Sequence, residues 1–121
     1  MNSNEINIAI VGATGAAGGT ALSLLKERNH PADKITLMAS ERSAGRKIQY
    51  GDTELTVIHA KAEAFDGIDV ALFAAGGYVS RRLAHKAVER GVFVIDKGSI
   101  FRMDPTIPLV VPEVNGDDID W

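Results

Sequence analysis

A chain of 121 residues with an apolar share of 45% has the size and composition of one globular domain. Its net charge of −3 gives no general attraction to nucleic acid or anionic membrane, no apolar run approaches a membrane span, and the opening MNSNE lacks the pattern of a secretory signal. Zero cysteines exclude disulfides, thiolate metal sites and a cysteine nucleophile within these residues, so a cytosolic protein is expected.

Ile6 to Val11 is a nearly unbroken apolar run, as a buried parallel strand requires. It meets Gly12, Gly15 and Gly18, spaced three apart, and an alanine- and leucine-rich segment follows. Strand, glycine turn and helix in that order make a dinucleotide-binding candidate. Gly12 allows the tight turn, Gly15 lets a phosphate approach the backbone, and Gly18 lets the helix lie close on the sheet. The first helical N–H groups, with the positive end of the helix dipole, point at the phosphate site, and Thr14 adds a hydroxyl. The spacing G-x-x-G-x-x-G differs from the commoner G-x-G-x-x-G, and no Gly-Lys-Ser/Thr of a P-loop follows. A tight turn that binds nothing is the plain alternative.

The helix is expected over Gly15 to Arg28, with Ala17, Ala21, Leu24 and Leu25 on one face, stopped by Asn29 and Pro31. Ile35 to Ala39 reads as the second strand. The following loop, Ser40 to Lys47, lies roughly 20 residues beyond the glycines, where a ribose 2′-hydroxyl or 2′-phosphate is read. It offers Ser40, Arg42, Ser43, Arg46 and Lys47, which suit a phosphate dianion. NADP is therefore favoured over NAD, with Glu41 as the dissenting residue that would suit a ribose diol.

Ile48 to Ile58 reads as a hairpin turning at Gly51-Asp52, with Ile48, Tyr50, Leu55 and Val57 as its alternating apolar positions. Ala60 to Ala64 is expected to form a helical turn, and Phe65-Asp66-Gly67 a loop. Asp69 to Ala74 is the next buried strand, and Ala75-Gly76-Gly77 permits close backbone approach. Tyr78 to Arg90 is an amphipathic helix, with Val79, Leu83, Ala87 and Val88 inward and Arg81, Arg82, Lys86, Glu89 and Arg90 in water. Val92 to Asp96 is another parallel-type strand, and Leu109 to Val111 a short one between prolines.

The alternation predicts an α/β fold, a mostly parallel Rossmann-type sheet with helices on both faces, in a single domain over 1–121. Gly12 to Ala17, Ser40 to Ser43, Ala74 to Gly77 and Asp96 to Ser99 all sit at strand ends and should meet at the C-terminal edge. His30, His59 and His85 read as structural or solvated, no metal constellation is visible, and the basic helix face lacks the aromatic interleaving of a nucleic-acid surface.

The strings GATGAAG, LMASERSAG, DVALFAAGG and FRMDPTIPLVVPEVN, in this order, resemble the aspartate-β-semialdehyde dehydrogenases. The likeness runs from Ile6 to about Asn115 and corresponds to their N-terminal NADP-binding domain alone. It implies the reversible interconversion of L-aspartyl 4-phosphate and L-aspartate 4-semialdehyde, on the route to lysine (via diaminopimelate), methionine and threonine. Under this resemblance Thr14, Gly15, Ala16 and Ala17 cradle the cofactor pyrophosphate, and Ser40, Arg42 and Ser43 hold the 2′-phosphate. Ala75 and Gly76 line the cofactor's path, and Arg102 binds the substrate phosphate. The family commonly reads Asp-Asn-x-Ser where this chain has Asp96-Lys97-Gly98-Ser99, so Lys97 either adds a phosphate contact or obstructs the cofactor.

The family's catalytic cysteine and acid/base histidine have no counterpart in these residues. Its mechanism needs a thiolate to displace phosphate and form a thioester that NADPH reduces. The resemblance therefore implies a cofactor domain that is inactive alone and whose full-length protein is a homodimer or homotetramer. A domain exposed where it would meet the second one is expected to self-associate or to show an apolar patch near Leu109 to Val114. A free-standing NADP-binding sensor and the related N-acetyl-γ-glutamyl-phosphate reductases are the competing readings.

Overall fold

The computed structural model describes residues 6–75 and 78–96, with the side chains of 78–80 left aside. The strands are β1 (Ile8–Val11), β2 (Ile35–Ala39), β3 (Lys47–Tyr50), β4 (Thr53–His59), β5 (Val70–Phe73) and β6 (Phe93–Asp96). The helices are α1 (Ala16–Glu27) and α2 (Tyr78–Glu89), joined by short 3-10 turns at Ala32–Lys34, Glu41–Ser43 and Ala62–Phe65. The sheet order is β3-β4-β2-β1-β5-β6, and every pairing is parallel except β3 with β4. This is the Rossmann-like sheet that the strand–helix alternation implies.

β1 is the centre of the sheet, and the chain first builds outward to β2 on one side and later to β5 on the other. Its residues alternate between two cores, because successive strand side chains point to opposite faces. Ile8 and Ile10 join Ala21, Leu22 and Leu25 of α1 on one face. Ala9 and Val11 join Phe65, Phe73, Ala84 and Ala87 on the face that α2 covers. Burial on both faces explains why β1 and β5 read as continuous apolar runs.

Two expected placements differ. Phe65 belongs to the 3-10 turn Ala62–Phe65, not to a loop; it is fully buried, with its ring 6.0 Å from that of Phe73. A single aromatic among small and polar residues has no period to betray it, but the α2-side core needs its volume. Val88, expected inward, is 37% exposed, while Ala84 is buried beside Ala87. The face of α2 that touches β5 and β6 is therefore centred on alanines, which lets the helix pack close.

The N-terminal edge of the sheet is tied by polar bonds. His30 is buried, and its Nε2–H donates to the Ile6 carbonyl at 2.8 Å, which defines the tautomer. Desolvation holds the imidazole below its ordinary pKa, against smaller upward effects of its hydrogen bonds and Asp33. The Tyr50 hydroxyl donates to the His30 carbonyl at 2.7 Å, and burial raises its pKa. The Asn7 N–H donates to the Asp69 carboxylate at 2.9 Å.

Candidate functional site

The opposite, C-terminal edge carries the glycine turn. Gly12 has φ of +86°, a region that side chains rarely adopt. A Cβ there would also lie 2.7 Å from the Ala75 Cβ, so the turn after β1 abuts the chain leaving β5. Gly18 is buried, and a Cβ on it would lie 2.7 Å from the Ala13 Cα. This sharpens the expectation for Gly18: its missing side chain lets α1 close against the glycine turn itself. Gly15 differs, because a Cβ on it would meet only the Gly12 carbonyl oxygen, at 3.6 Å, and it is open to solvent.

The N–H groups of Gly12 and Ala13 both donate to the Met38 carbonyl, at 2.8 and 3.1 Å, which ties the turn to the end of β2. Gly15 N–H donates to Gly12 O, and Gly19 N–H donates to Gly15 O. Among the described residues, the N–H groups of Thr14, Ala16, Ala17 and Gly18 have no hydrogen-bond acceptor. The helix N-cap is Gly15, with no side-chain cap, and no acidic residue stands in the first turn. Uncapped N–H groups at the positive end of a helix form an anion cradle, and Thr14, Gly15 and Ala16 are exposed to whatever fills it.

Ser40, Arg42 and Ser43 reach the same edge. Ser40 follows β2 directly, and Glu41–Ser43 form a 3-10 turn resting against β4. The Ser40 side chain makes no cap bond to that turn, and Ser40 and Arg42 are exposed. Ala75 is brought to Gly12, as stated. Gly76, Lys97 to Ser99, Arg102 and the Leu109 to Val114 segment lie outside the described residues. His59 and His85 are exposed, and no group of three metal-ligating side chains occurs among the described residues.

A cleft of about 350 Å³ opens beside the turn, lined by Ala13, Thr14, Gly15, Gly19, Arg46, Lys47 and Ile48. Arg46 and Lys47 were visible as loop cations, but spacing alone did not bring them to the glycines. The signal lay in strand direction. β3 runs antiparallel to β4, with Lys47 opposite Thr56 and Tyr50 opposite Thr53. The start of β3 therefore lies where the parallel strands end.

A glycine turn feeding a helix, at the point where strand order reverses in a doubly wound sheet, is the architecture of a dinucleotide-binding domain. The chain belongs to the semialdehyde dehydrogenase family, since residues 7–121 match the model of the semialdehyde dehydrogenase NAD-binding domain. It is 53% identical to the aspartate-semialdehyde dehydrogenase of Bacillus subtilis, over 94% of this chain and 33% of that protein. It is 52% identical to that of Aquifex aeolicus, over 93% and 33%. The crystal structure of aspartate semialdehyde dehydrogenase II from Vibrio cholerae superposes with a TM-score of 0.69 and 47% identity, covering 92% of this chain and 33% of that one. A Vibrio cholerae structure complexed with ASA gives a TM-score of 0.68 and 43% identity, over 74% of this chain and 29% of that one. The chain thus spans about a third of the length of the curated relatives it matches.

Proposed function

We propose that this chain is the NADP-binding part of an aspartate-semialdehyde dehydrogenase. The reaction converts L-aspartyl 4-phosphate and NADPH to L-aspartate 4-semialdehyde, NADP and phosphate, reversibly, in the cytoplasm, on the route to lysine, methionine and threonine. The observation that carries the reading is the set of four unaccepted N–H groups around an exposed Gly15. The names of relatives at about half identity support the substrate assignment.

The cofactor supplies a hydride when bound. Thr14, Ala16 and Ala17 hold its pyrophosphate through backbone N–H groups and Gly15 lets it approach the backbone, with the α1 dipole opposing the negative charge. Ser40, Arg42 and Ser43 take the 2′-phosphate, for which a guanidinium offers bidentate bonds. Ala75 and Gly76 let the cofactor pass close to the backbone, and Arg102 meets the substrate phosphate. The chain has no cysteine, so the thiolate of the acyl transfer comes from outside these 121 residues. Alone it binds cofactor without turning over, and the complete enzyme is a homodimer or homotetramer.

Calorimetric titration with NADP and, separately, NAD tests this. NADP is expected to bind more tightly than NAD, and Arg42→Ala to erase most of the difference. Tighter binding of NAD would move the ribose contact to Glu41 and overturn the NADP assignment. Heat from neither, in a chain that melts cooperatively, would overturn the binding reading for this chain.

A further inference from the structure

The loop that leaves β2 has to cross β4 before it starts β3. In the sheet order β4 stands between those two strands, and β2 and β4 both end at the C-terminal edge, where β3 begins. The loop is tied down on either side of the crossing. Ala60 N–H donates to Ala39 O at 2.8 Å where it starts, and Gly45 N–H donates to Val57 O at 2.7 Å where it ends. Between these ties the Glu41–Ser43 turn rests against β4. The last residue of β4 is His59, opposite Ala39 in the parallel register. His59 therefore stands at the strand end that the loop spans, beside Ser40.

Its side chain is exposed, and among the described residues the imidazole has no hydrogen bond or ion pair. Its backbone is held in the sheet by the ladder around it. Ala39 and Val57 belong to the α1-side core, so the period of two puts His59 on the face where α1 begins. Neighbouring strands are about 5 Å apart, within the reach of an imidazole, so His59 and the Ser40 hydroxyl can share one ligand. Sequence spacing gave His59 no role, because it is the crossing of β4 by the loop that brings the two together.

We propose that His59 is a specificity-determining residue of the nucleotide site and makes its preference for a 2′-phosphorylated adenosine depend on pH. This rests on the NADP reading above and adds a regulator to it. Histidine is the side chain whose ordinary charge change falls between about pH 5 and 8. The other charged groups on the segments around it are Glu41 and Arg42 of the turn, Arg46 and Lys47 at the start of β3, and Lys61 just past β4. A phosphate bound among them brings a charge of about −2, which favours the imidazolium. Binding and protonation then promote each other. Arginine and lysine attract the phosphate throughout this range, whereas His59 adds its charge only as the pH falls.

The test titrates 2′,5′-ADP and 5′-AMP into wild type, His59→Gln and His59→Lys at about pH 8 and about pH 6. All three proteins should melt alike, since the position is exposed. Reading each variant against wild type at the same pH cancels the titration of the probes' own phosphates and of His30. For 2′,5′-ADP, His59→Gln should bind about tenfold more weakly than wild type at the lower pH, the scale of one charge-assisted bond, and less than about twofold more weakly at the higher. For 5′-AMP the two should stay within about twofold throughout. His59→Lys, with a permanent charge, should match wild type at the lower pH and bind 2′,5′-ADP more tightly than wild type at the higher. A loss in His59→Gln that is the same at both pH values, or the same for both probes, would overturn the proposal and leave the cofactor reading standing, as would no loss at all. A wild type that binds neither probe nor NADP would overturn both.

Discussion

The two edges of one sheet use polar groups in opposite ways. At the N-terminal edge, His30, Tyr50 and Asp69 are spent on backbone groups of Ile6, His30 and Asn7. At the C-terminal edge, Arg46, Lys47 and four N–H groups have no partner among the described residues, and Gly15 and Gly19 leave space for a ligand to approach. The first edge closes the fold, and the second leaves donors unsatisfied where the proposed function places an anion. The difference teaches that a binding edge is recognised by donors left unsatisfied where the chain had acids and carbonyls available to satisfy them.

The comparison can be broken most severely at Gly12. Gly12→Ala forces a side chain into a positive-φ turn and against Ala75, 2.7 Å away. Strain and overpacking together should cost about 3 kcal/mol in urea melts, and nucleotide binding should fall in whatever chain still folds. A loss below about 1 kcal/mol would mean that the turn is softer than its geometry implies.

Asp69→Ala comes next, at the closed edge. It removes the carboxylate that accepts the Asn7 N–H at 2.9 Å, and about 2 kcal/mol of stability should go with it. Nucleotide affinity should not change, because the site lies at the other end of the strands. Tyr50→Phe is milder: losing the hydroxyl bond to the His30 carbonyl should cost about 1 kcal/mol in the same melts.

The smallest effect is a pH dependence. The pKa of His30 is lowered from 6.5 by desolvation, so the unfolded chain binds its proton more readily than the folded one. Stability from this group is therefore intact above 6.5, declines as the pH falls through that value, and levels off below the folded pKa. Melting temperatures between pH 7.5 and about 5 should show the decline in wild type and a shallower one in His30→Gln. Equal slopes would remove His30 from the account.

Much of this was legible in the residues alone. Gly12, Gly15 and Gly18 between an apolar run and an amphipathic segment announced the turn, because only backbone geometry permits that composition there. Within the described residues the helices and strands fell where periodicity put them, with small shifts of boundary. The family strings pointed to the same enzymes as the later comparisons. Less legible were Phe65, which had no periodic partner, and His30, a turn residue whose burial depends on Ile6 and Tyr50 arriving from elsewhere.

By itself, then, the sequence determined the order of elements, the glycine turn and the presence of cations after β2, since all three depend on local pattern. Tertiary structure alone decided which cations meet the turn. Arg42, Arg46 and Lys47 are near neighbours in the chain and chemically alike. The antiparallel run of β3 beside β4 set Lys47 and the residue before it across from Thr14 and Gly15. That placement follows from the direction of backbone hydrogen bonding between strands, which no single stretch of residues encodes.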